Sequence, residues 1–155
     1  MKPPDHKRIE PARAFIKKST LPGAGKGLFT RTPILKGEII IEYKGNITTF
    51  KKIQENGADN PYIYYVNRNH VIDAMPFPGS LARYANDAEG IVVIAGCKNN
   101  AKFTVVNKKV FIQALTAILP GAEIFVSYGK EYWDTILFNL AVKKSYQATG
   151  KAKKK

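Results

Sequence analysis

The residue with the clearest chemical potential in this sequence is a tyrosine at the end of a predicted strand. Tyr128 follows the apolar residues 124–126 and precedes Gly129, which is expected to end the strand. A tyrosine in that place carries its hydroxyl to the rim of a pocket, where it can hydrogen-bond a reacting group. Taken alone, the same stretch also fits an ordinary core tyrosine at a turn.

A glycine-rich loop near the N-terminus is the second stretch that could bind a ligand. Gly23, Gly25 and Gly27 occupy alternate positions before the apolar pair at 28–29. Glycines so placed expose backbone N–H and C=O groups and let a ligand approach the chain closely. The loop lacks the Gly-Lys-Ser/Thr ending of a phosphate-binding loop and the glycine spacing of a dinucleotide fingerprint. A plain turn is the alternative interpretation.

The residue types that most often carry acid–base or metal chemistry are scarce. The two histidines, His6 and His70, lie in no motif, and Cys97 is the single cysteine. One cysteine excludes an intramolecular disulfide and a cysteine-based zinc cluster, so no metal site is predicted. It also fits a reducing compartment, and the start of the chain, broken by prolines, is not expected to act as a secretory signal. We therefore expect an intracellular protein.

Length and charge indicate one basic globular domain. The chain has 155 residues, 45% of them hydrophobic and 24% charged, which suits a single core. Much of its formal net charge of +13 lies at the two ends. We predict a disordered basic arm at residues 1–13 and a lysine-rich tail at 149–155. Such ends attract polyanions, although a solvated tail that only aids solubility is the alternative.

Hydrophobic patterning predicts many short strands. Two similar segments, 34–39 and 118–124, are predicted as turns that each lead into an apolar strand. Asn107 lies between two apolar runs, where it can adopt the left-handed conformation of a hairpin turn. The other predicted strands are 14–18, 38–43, 62–66, 70–73, 91–95, 103–106 and 110–112.

Helix is predicted in only two places. Thr48 or Thr49 can cap a short helix that ends at residue 55. Apolar residues between 133 and 141 recur with helical spacing on one face, so a C-terminal helix is assigned to 134–148. The predicted fold class is therefore mostly β with short helices.

Four stretches in this order make the chain resemble the SET-domain protein-lysine methyltransferases. They are the glycine loop at 23–29, Glu-Tyr-Lys-Gly at 42–45, Arg-Tyr-Ala-Asn-Asp at 83–87 and Ser-Tyr-Gly at 127–129. The resemblance covers residues 14–133, and it looks most like the small stand-alone members, such as those of large DNA viruses. It implies small twisted sheets in which the last strand threads beneath an earlier loop, forming a C-terminal pseudoknot.

The resemblance also implies an activity, the transfer of a methyl group from S-adenosylmethionine to the amine of a protein lysine. The cofactor would be held on one face, and the lysine would enter from the other through a narrow apolar channel. Tyr128 resembles the catalytic tyrosine, and Tyr43 resembles a tyrosine that walls the channel. Such a reaction depends on alignment and on a neutral lysine, which fits the lack of an acid–base pair.

The cofactor-binding residues follow from the same resemblance. Asp87 departs from the pattern, because the family usually has histidine at that position. On the family pattern, we expect Asp87→His to bind the cofactor equally well or more tightly. The residues expected to contact the cofactor are Ala24, Gly25, Lys26, Gly27, Tyr62, Arg83, Asn86, Asp87 and Trp133.

The expected substrate is a histone or another basic protein. The basic ends suggest contact with nucleic acid, and the location is expected to be nuclear, or otherwise cytoplasmic. Two other classes of function remain open at this point. One is a SET-like binding module that has lost turnover, with Asp87 as its sign, and the other is a basic β-rich nucleic-acid binder.

Overall fold

The computed structural model describes residues 13–56 and 60–152, with side chains to residue 148. Of the arm predicted at 1–13, all but residue 13 lies outside the described residues, and residues 149–152 of the predicted tail belong to the last helix. The strands are β1 (Ala14–Lys18), β2 (Lys26–Thr30), β3 (Ile39–Glu42), β4 (Asn46–Thr48), β5 (Ile63–Asn67), β6 (His70–Asp73), β7 (Ala101–Val106), β8 (Lys109–Ala114) and β9 (Glu123–Ile124). The helices are α1 (Phe50–Glu55), a short 3₁₀-helix (Leu81–Tyr84) and α2 (Lys130–Ala152).

The described strands form small antiparallel sheets, as the sequence predicts. Their orders are β1–β2–β9, β3–β8–β7 and β4–β6–β5. None of these sheets is large enough to bury a face alone, so apolar residues from all of them pack into one main core. Each fully buried Leu, Ile or Phe there contributes about 1.5–3 kcal/mol. The large, fully buried side chains in this core include Leu28, Ile34, Ile40 and Ile112.

Where the sequence pattern is local, the predicted elements are confirmed. β7 and β8 form a hairpin whose turn places Asn107 at φ 50° and Lys108 at φ 64°, both left-handed as a two-residue hairpin turn requires. The side chain of Thr49 accepts a hydrogen bond from the backbone N–H of Lys52 and caps α1, which ends at Glu55.

The strand predicted at residues 91–95 is wrong. The segment consists of bends and a turn, with the N–H of Cys97 donating to the carbonyl of Ile94 at 3.0 Å. Its four large apolar side chains are all exposed, the least being Ile94 at 37% and the most Val93 at 66%. They lie in the long loop between the 3₁₀-helix and β7, where no strand pairs with them. A continuous apolar run was therefore not evidence of burial.

The two similar segments predicted at 34–39 and 118–124 pair with each other. The N–H of Ile34 donates to the carbonyl of Ile118 at 2.9 Å, and the reverse bond has the same length. Gly37 and Gly121 follow with φ of 86° and 81°, values that residues with a side chain rarely adopt. Gly37 turns the chain into β3, and Gly121 turns it into β9. This antiparallel bridge joins the turn before β3 to the turn before β9.

The end of β9 forms the predicted pseudoknot. The N–H of Val126 donates to the carbonyl of Asn86 at 2.9 Å, and the N–H of Ala101 donates to the carbonyl of Phe125 at 2.9 Å. Both bridges are parallel. Residues 125–126 therefore pass between the two ends of the loop 86–101. This threading brings Tyr128 beside Asn86, although the two are far apart in sequence.

Helix α2 contains the helix predicted at 134–148 and extends beyond it at both ends. Only the start of its apolar face is covered, since Trp133 and Ile136 are half-buried whereas Leu137 and Leu140 are 52% and 45% exposed. Among the helices that the structure describes, none has the length and apolar character needed to span a membrane. The first turn of α2 is the part that matters for the site.

Candidate active site

Two adjoining cavities meet at Tyr128. The larger cleft has a volume of about 710 Å³ and lies against the glycine loop at 21–26, and the smaller cleft has about 370 Å³. The residues that line both are Pro61, Arg83, Tyr128 and Tyr132. A group bound in one cleft can therefore meet a group bound in the other at the ring of Tyr128.

Tyr128 is held from several sides. Its hydroxyl donates a hydrogen bond to the carbonyl of Ala85, and its backbone N–H donates to Oδ2 of Asp87 at 2.9 Å. Its ring lies 5.0 Å from the ring of Tyr132 and stacks on Trp133 at 5.7 Å. Burial, more than any neighbouring charge, raises the pKa of Tyr128 well above its ordinary value. The side chain is therefore a neutral phenol at physiological pH.

Aromatic rings wall the smaller cleft. Tyr43, Tyr64 and Phe103 form one cluster, with ring centroids 5.0–6.1 Å apart. Tyr43 is buried, and desolvation followed by the charge of Asp73 raises the pKa of its phenol. Such a cleft is apolar but carries hydroxyl groups, which suits an alkyl chain that ends in a nitrogen.

Asp87 makes four hydrogen bonds within the protein. Oδ2 accepts from the backbone N–H of Tyr128 at 2.9 Å and from Nε1 of Trp133 at 2.8 Å. Oδ1 accepts from the side-chain amide of Asn99 at 2.8 Å and from the backbone N–H of Glu89 at 2.9 Å. The carboxylate borders the larger cleft but is engaged by protein donors.

Arg83 lies between two tyrosine rings at the boundary of the clefts. Its guanidinium is 4.4 Å from the ring of Tyr62 and 4.8 Å from that of Tyr84. Nη1 donates to the carbonyls of Ala74 and Met75, and Nη2 donates to the hydroxyl of Tyr84. Nε is buried and has no hydrogen-bond partner in the described structure. The protein contacts fix the guanidinium, and Arg83 brings a positive charge to the wall of both clefts.

The glycine loop rests on a buried carboxylate. Glu123 accepts hydrogen bonds from the hydroxyl of Ser19 at 2.7 Å and from the N–H and hydroxyl of Thr20 at 2.8 and 2.6 Å. Asn86 Nδ2 donates to the loop carbonyl of Lys26 at 2.9 Å and approaches Glu123 at 3.4 Å. A Cβ on Gly27 would lie 2.2 Å from Oε1 of Glu123. Gly27 therefore makes room for the carboxylate beneath the loop.

A family model that describes the SET domain matches residues 25–129 of this chain. The chain belongs to the SET-domain family. A histone-lysine N-methyltransferase of Arabidopsis thaliana, ASHH1, is 30% identical over 122 residues, which is 72% of this chain and 23% of the relative. The chain thus spans about a quarter of the length of that relative.

A solved structure also has the same fold. The methyltransferase domain of human PR domain-containing protein 2 aligns with a TM-score of 0.56 and 23% identity. The match covers 79% of this chain and 80% of that domain. The SET fold, with its small sheets and threaded last strand, is therefore the architecture that positions the two clefts.

The fold brings most of the predicted site residues together. Tyr128 borders both clefts, and Tyr43 borders the smaller one, away from the glycine loop. Gly27 is the exception, because it faces Glu123 and lines neither cleft. The predicted cofactor residues that line the larger cleft are Ala24, Gly25, Lys26, Tyr62, Arg83, Asn86, Asp87 and Trp133.

Sequence reasoning missed three residues that the structure places at the site. Tyr132 and Pro61 line both clefts, and Glu123 lies beneath the glycine loop. Tyr132 had a visible signal, since it is next to Trp133 in the motif that follows Tyr128. The buried position of Glu123 follows only from the pairing of β2 with β9, which no local pattern predicts.

Proposed function

We propose that this SET-domain protein is a protein-lysine N-methyltransferase that uses S-adenosylmethionine. The observation that carries the proposal is the meeting of two clefts at the buried hydroxyl of Tyr128. One cleft has glycine-loop and polar walls that suit a nucleoside-like cofactor, and the other has aromatic walls that suit a lysine stem. A reaction that transfers a group from one bound molecule to another requires their reacting atoms to meet in this way.

The larger cleft fits the proposed cofactor. Gly23 and Gly25 have φ of 74° and 71°, and a Cβ on either would meet no atom within 4 Å, so the loop leaves open space there. Arg83, whose positive side chain lines this cleft, would face the carboxylate of the cofactor's amino-acid part. Asn86 and Trp133 would border its base. When bound, the cofactor supplies an activated methyl group on a sulfonium.

The smaller cleft would prepare the lysine. Tyr43, Tyr64 and Phe103 exclude water around its aliphatic stem, and an apolar surrounding disfavours the charged ammonium form. Tyr128, which is neutral, offers its hydroxyl oxygen as a hydrogen-bond acceptor to the amine and fixes its direction. Alignment in near-attack geometry can supply roughly 7–11 kcal/mol of the barrier.

Histones are the first substrates to test, because the Arabidopsis relative is named a histone-lysine N-methyltransferase. Other basic proteins are the second group. The alternative of a SET-like module without turnover was suggested by Asp87, yet four hydrogen bonds now give that residue a defined role. We therefore favour the enzyme.

Incubation with methyl-labelled S-adenosylmethionine tests the proposal. We expect saturable cofactor binding, seen as a change in the fluorescence of Trp133, the single tryptophan, because its ring lines the cleft. We expect label on lysine when histones, nucleosomes and a cell lysate are offered. Binding without transfer to any protein in the panel would favour the module without turnover. Absence of binding would contradict both.

We also propose that the basic ends hold the enzyme on a substrate that carries nucleic acid, which would place it in a nucleus if that substrate is chromatin. Deleting residues 151–155, which include four lysines, should leave methylation of a short peptide unchanged. It should weaken methylation of the same lysine on its nucleic-acid-bound carrier, because only the carrier has phosphates to neutralise. Added salt should reduce the difference. Equal activity of both proteins on both substrates at low salt would leave the tail without this role.

A further inference from the structure

Asp87 stands where the SET pattern usually has histidine. The residue is 7% exposed, and each oxygen of its carboxylate accepts two hydrogen bonds. We propose that Asp87 is a positioning residue which, together with Trp133, holds Tyr128 at the junction of the two clefts. The inference rests on the proposed function for its kinetic consequences, whereas the structural link is independent of it. Asp87 acts through its neighbours and is not assigned a contact with the reacting atoms.

The carboxylate ties together three segments that are distant in sequence. Oδ2 receives the N–H of Tyr128, 41 positions away, and the indole N–H of Trp133, 46 positions away. Oδ1 receives donors from Glu89 and Asn99, at the two sides of the loop through which the last strand passes. Hydrogen bonds to an ionised acceptor are about twice as strong as neutral ones. Asp87 thus fixes both the backbone of Tyr128 and the first turn of α2.

Trp133 transmits this constraint to the ring of Tyr128. The indole stacks on that ring at 5.7 Å with an angle of 20° between the planes. A Cβ on Gly90 would lie 2.2 Å from the indole, so a glycine is needed where the loop meets the ring. The indole is therefore held by the loop backbone, by Tyr128 and by Asp87, and it can rotate little. Tyr132, which lines both clefts, is carried by the same helical turn.

A histidine could not make this arrangement. A neutral imidazole has one acceptor nitrogen, and a charged imidazole has none, whereas the carboxylate accepts from four donors. The tryptophan indole supplies one of those donors. Asp87 and Trp133 therefore form a matched pair in this chain, and we expect their contributions to turnover to be coupled.

The test uses Asp87→Asn, Trp133→Phe and the double variant in the full chain. Asparagine offers one acceptor oxygen and turns an N–H₂ towards donors, while phenylalanine keeps an aromatic ring against Tyr128 and removes only the indole and its N–H. Asp134→Asn is the matched control, because it removes a neighbouring carboxylate that pairs with Lys130 on the exposed surface of α2. Turnover is measured per folded molecule, with the folded fraction taken from thermal unfolding.

We expect kcat to fall at least tenfold in each single variant, with KM for a peptide substrate changed less than threefold. The double variant should be no slower than the slower single one, since both changes remove the same link. The tryptophan emission of Asp87→Asn should shift to longer wavelength, because the indole loses its partner and becomes more exposed. Asp134→Asn should match the wild type in all these measurements.

Several outcomes would overturn the proposal. In the first, folded Asp87→Asn has a lower Tm but a kcat within threefold of the wild type. Asp87 would then contribute only to stability. Another is a double variant whose kcat falls by the product of the single effects, because the two residues would then act independently. If the wild type has no turnover, the proposed function fails, and an unchanged tryptophan emission in Asp87→Asn would then refute the structural link. If Asp87→Asn does not fold, the Trp133→Phe variant decides. A wild-type kcat in that variant overturns the proposal, and a tenfold loss of kcat supports it.

Discussion

Replacing Tyr128 with phenylalanine is expected to lower kcat about a hundredfold, or ~2.7 kcal/mol of barrier, with nearly unchanged cofactor affinity. That is the size of loss found when one preorganised hydrogen-bonding group is removed from an active site. The hydroxyl lies where the two clefts meet, whereas the ring supplies the packing against Tyr132 and Trp133, and phenylalanine keeps it. Because burial raises the pKa of Tyr128, the group lost is a neutral hydroxyl and not a phenolate base.

The same change leaves the carbonyl of Ala85 without its partner, which costs about 1 kcal/mol of stability. Thermal unfolding should therefore accompany the kinetics, so that the rate is expressed per folded molecule. Tyr65→Phe is the matched control, since it removes a hydroxyl from a side chain that is 51% exposed and lines neither cleft. A loss of less than tenfold for Tyr128→Phe would show that Tyr128 is not the aligning group.

The parts of this fold that the sequence predicted are those set by neighbouring residues. The hairpin at Asn107 and the cap at Thr49 depend on turn and helix-end chemistry within a few positions. The prediction of a strand at 91–95 was wrong because an apolar sequence only favours an extended conformation. A strand forms when a second strand lies beside it and supplies hydrogen bonds. In this chain those residues form an exposed loop around the threaded strand.

The candidate site also contains residues that local motifs predict and residues that they do not. The glycine loop and Tyr128 could be predicted because each lies in a short motif that resembles a family. The hydrogen bonds of Asp87 could not be predicted from the sequence. Its partners Tyr128 and Trp133 are 41 and 46 positions away, and the threading of the last strand brings them close. The hydrogen bonds of Asp87 favour a different prediction from the family pattern: we expect Asp87→His to weaken the site, since one imidazole cannot replace four hydrogen bonds.

Glu123→Gln is expected to lower the free energy of unfolding by about 1–3 kcal/mol, since the buried hydroxyl of Ser19 and the part-buried donors of Thr20 lose their charged acceptor. Ser19 and Thr20 donate to the carboxylate of Glu123, a residue that is 5% exposed. A glutamine offers one acceptor oxygen and turns its own N–H₂ group towards some of these donors. For a domain with 5–15 kcal/mol of total stability, such a loss is large. Urea denaturation measures it, with the exposed Glu55→Gln as the matched control, expected within ~0.5 kcal/mol of wild type.

Gly27→Ala tests the role of the Glu123 carboxylate independently. Its Cβ would lie 2.2 Å from Oε1 and 2.9 Å from Cδ of Glu123, so the acid must move and its bonds to Ser19 and Thr20 must weaken. We expect Gly27→Ala to be destabilising and to weaken cofactor binding, because the glycine loop rests on this network. In a Glu123→Ala background the clash is gone, so adding Gly27→Ala should cost little further stability. If the two changes are additive, the glycine is required for a reason other than the buried carboxylate.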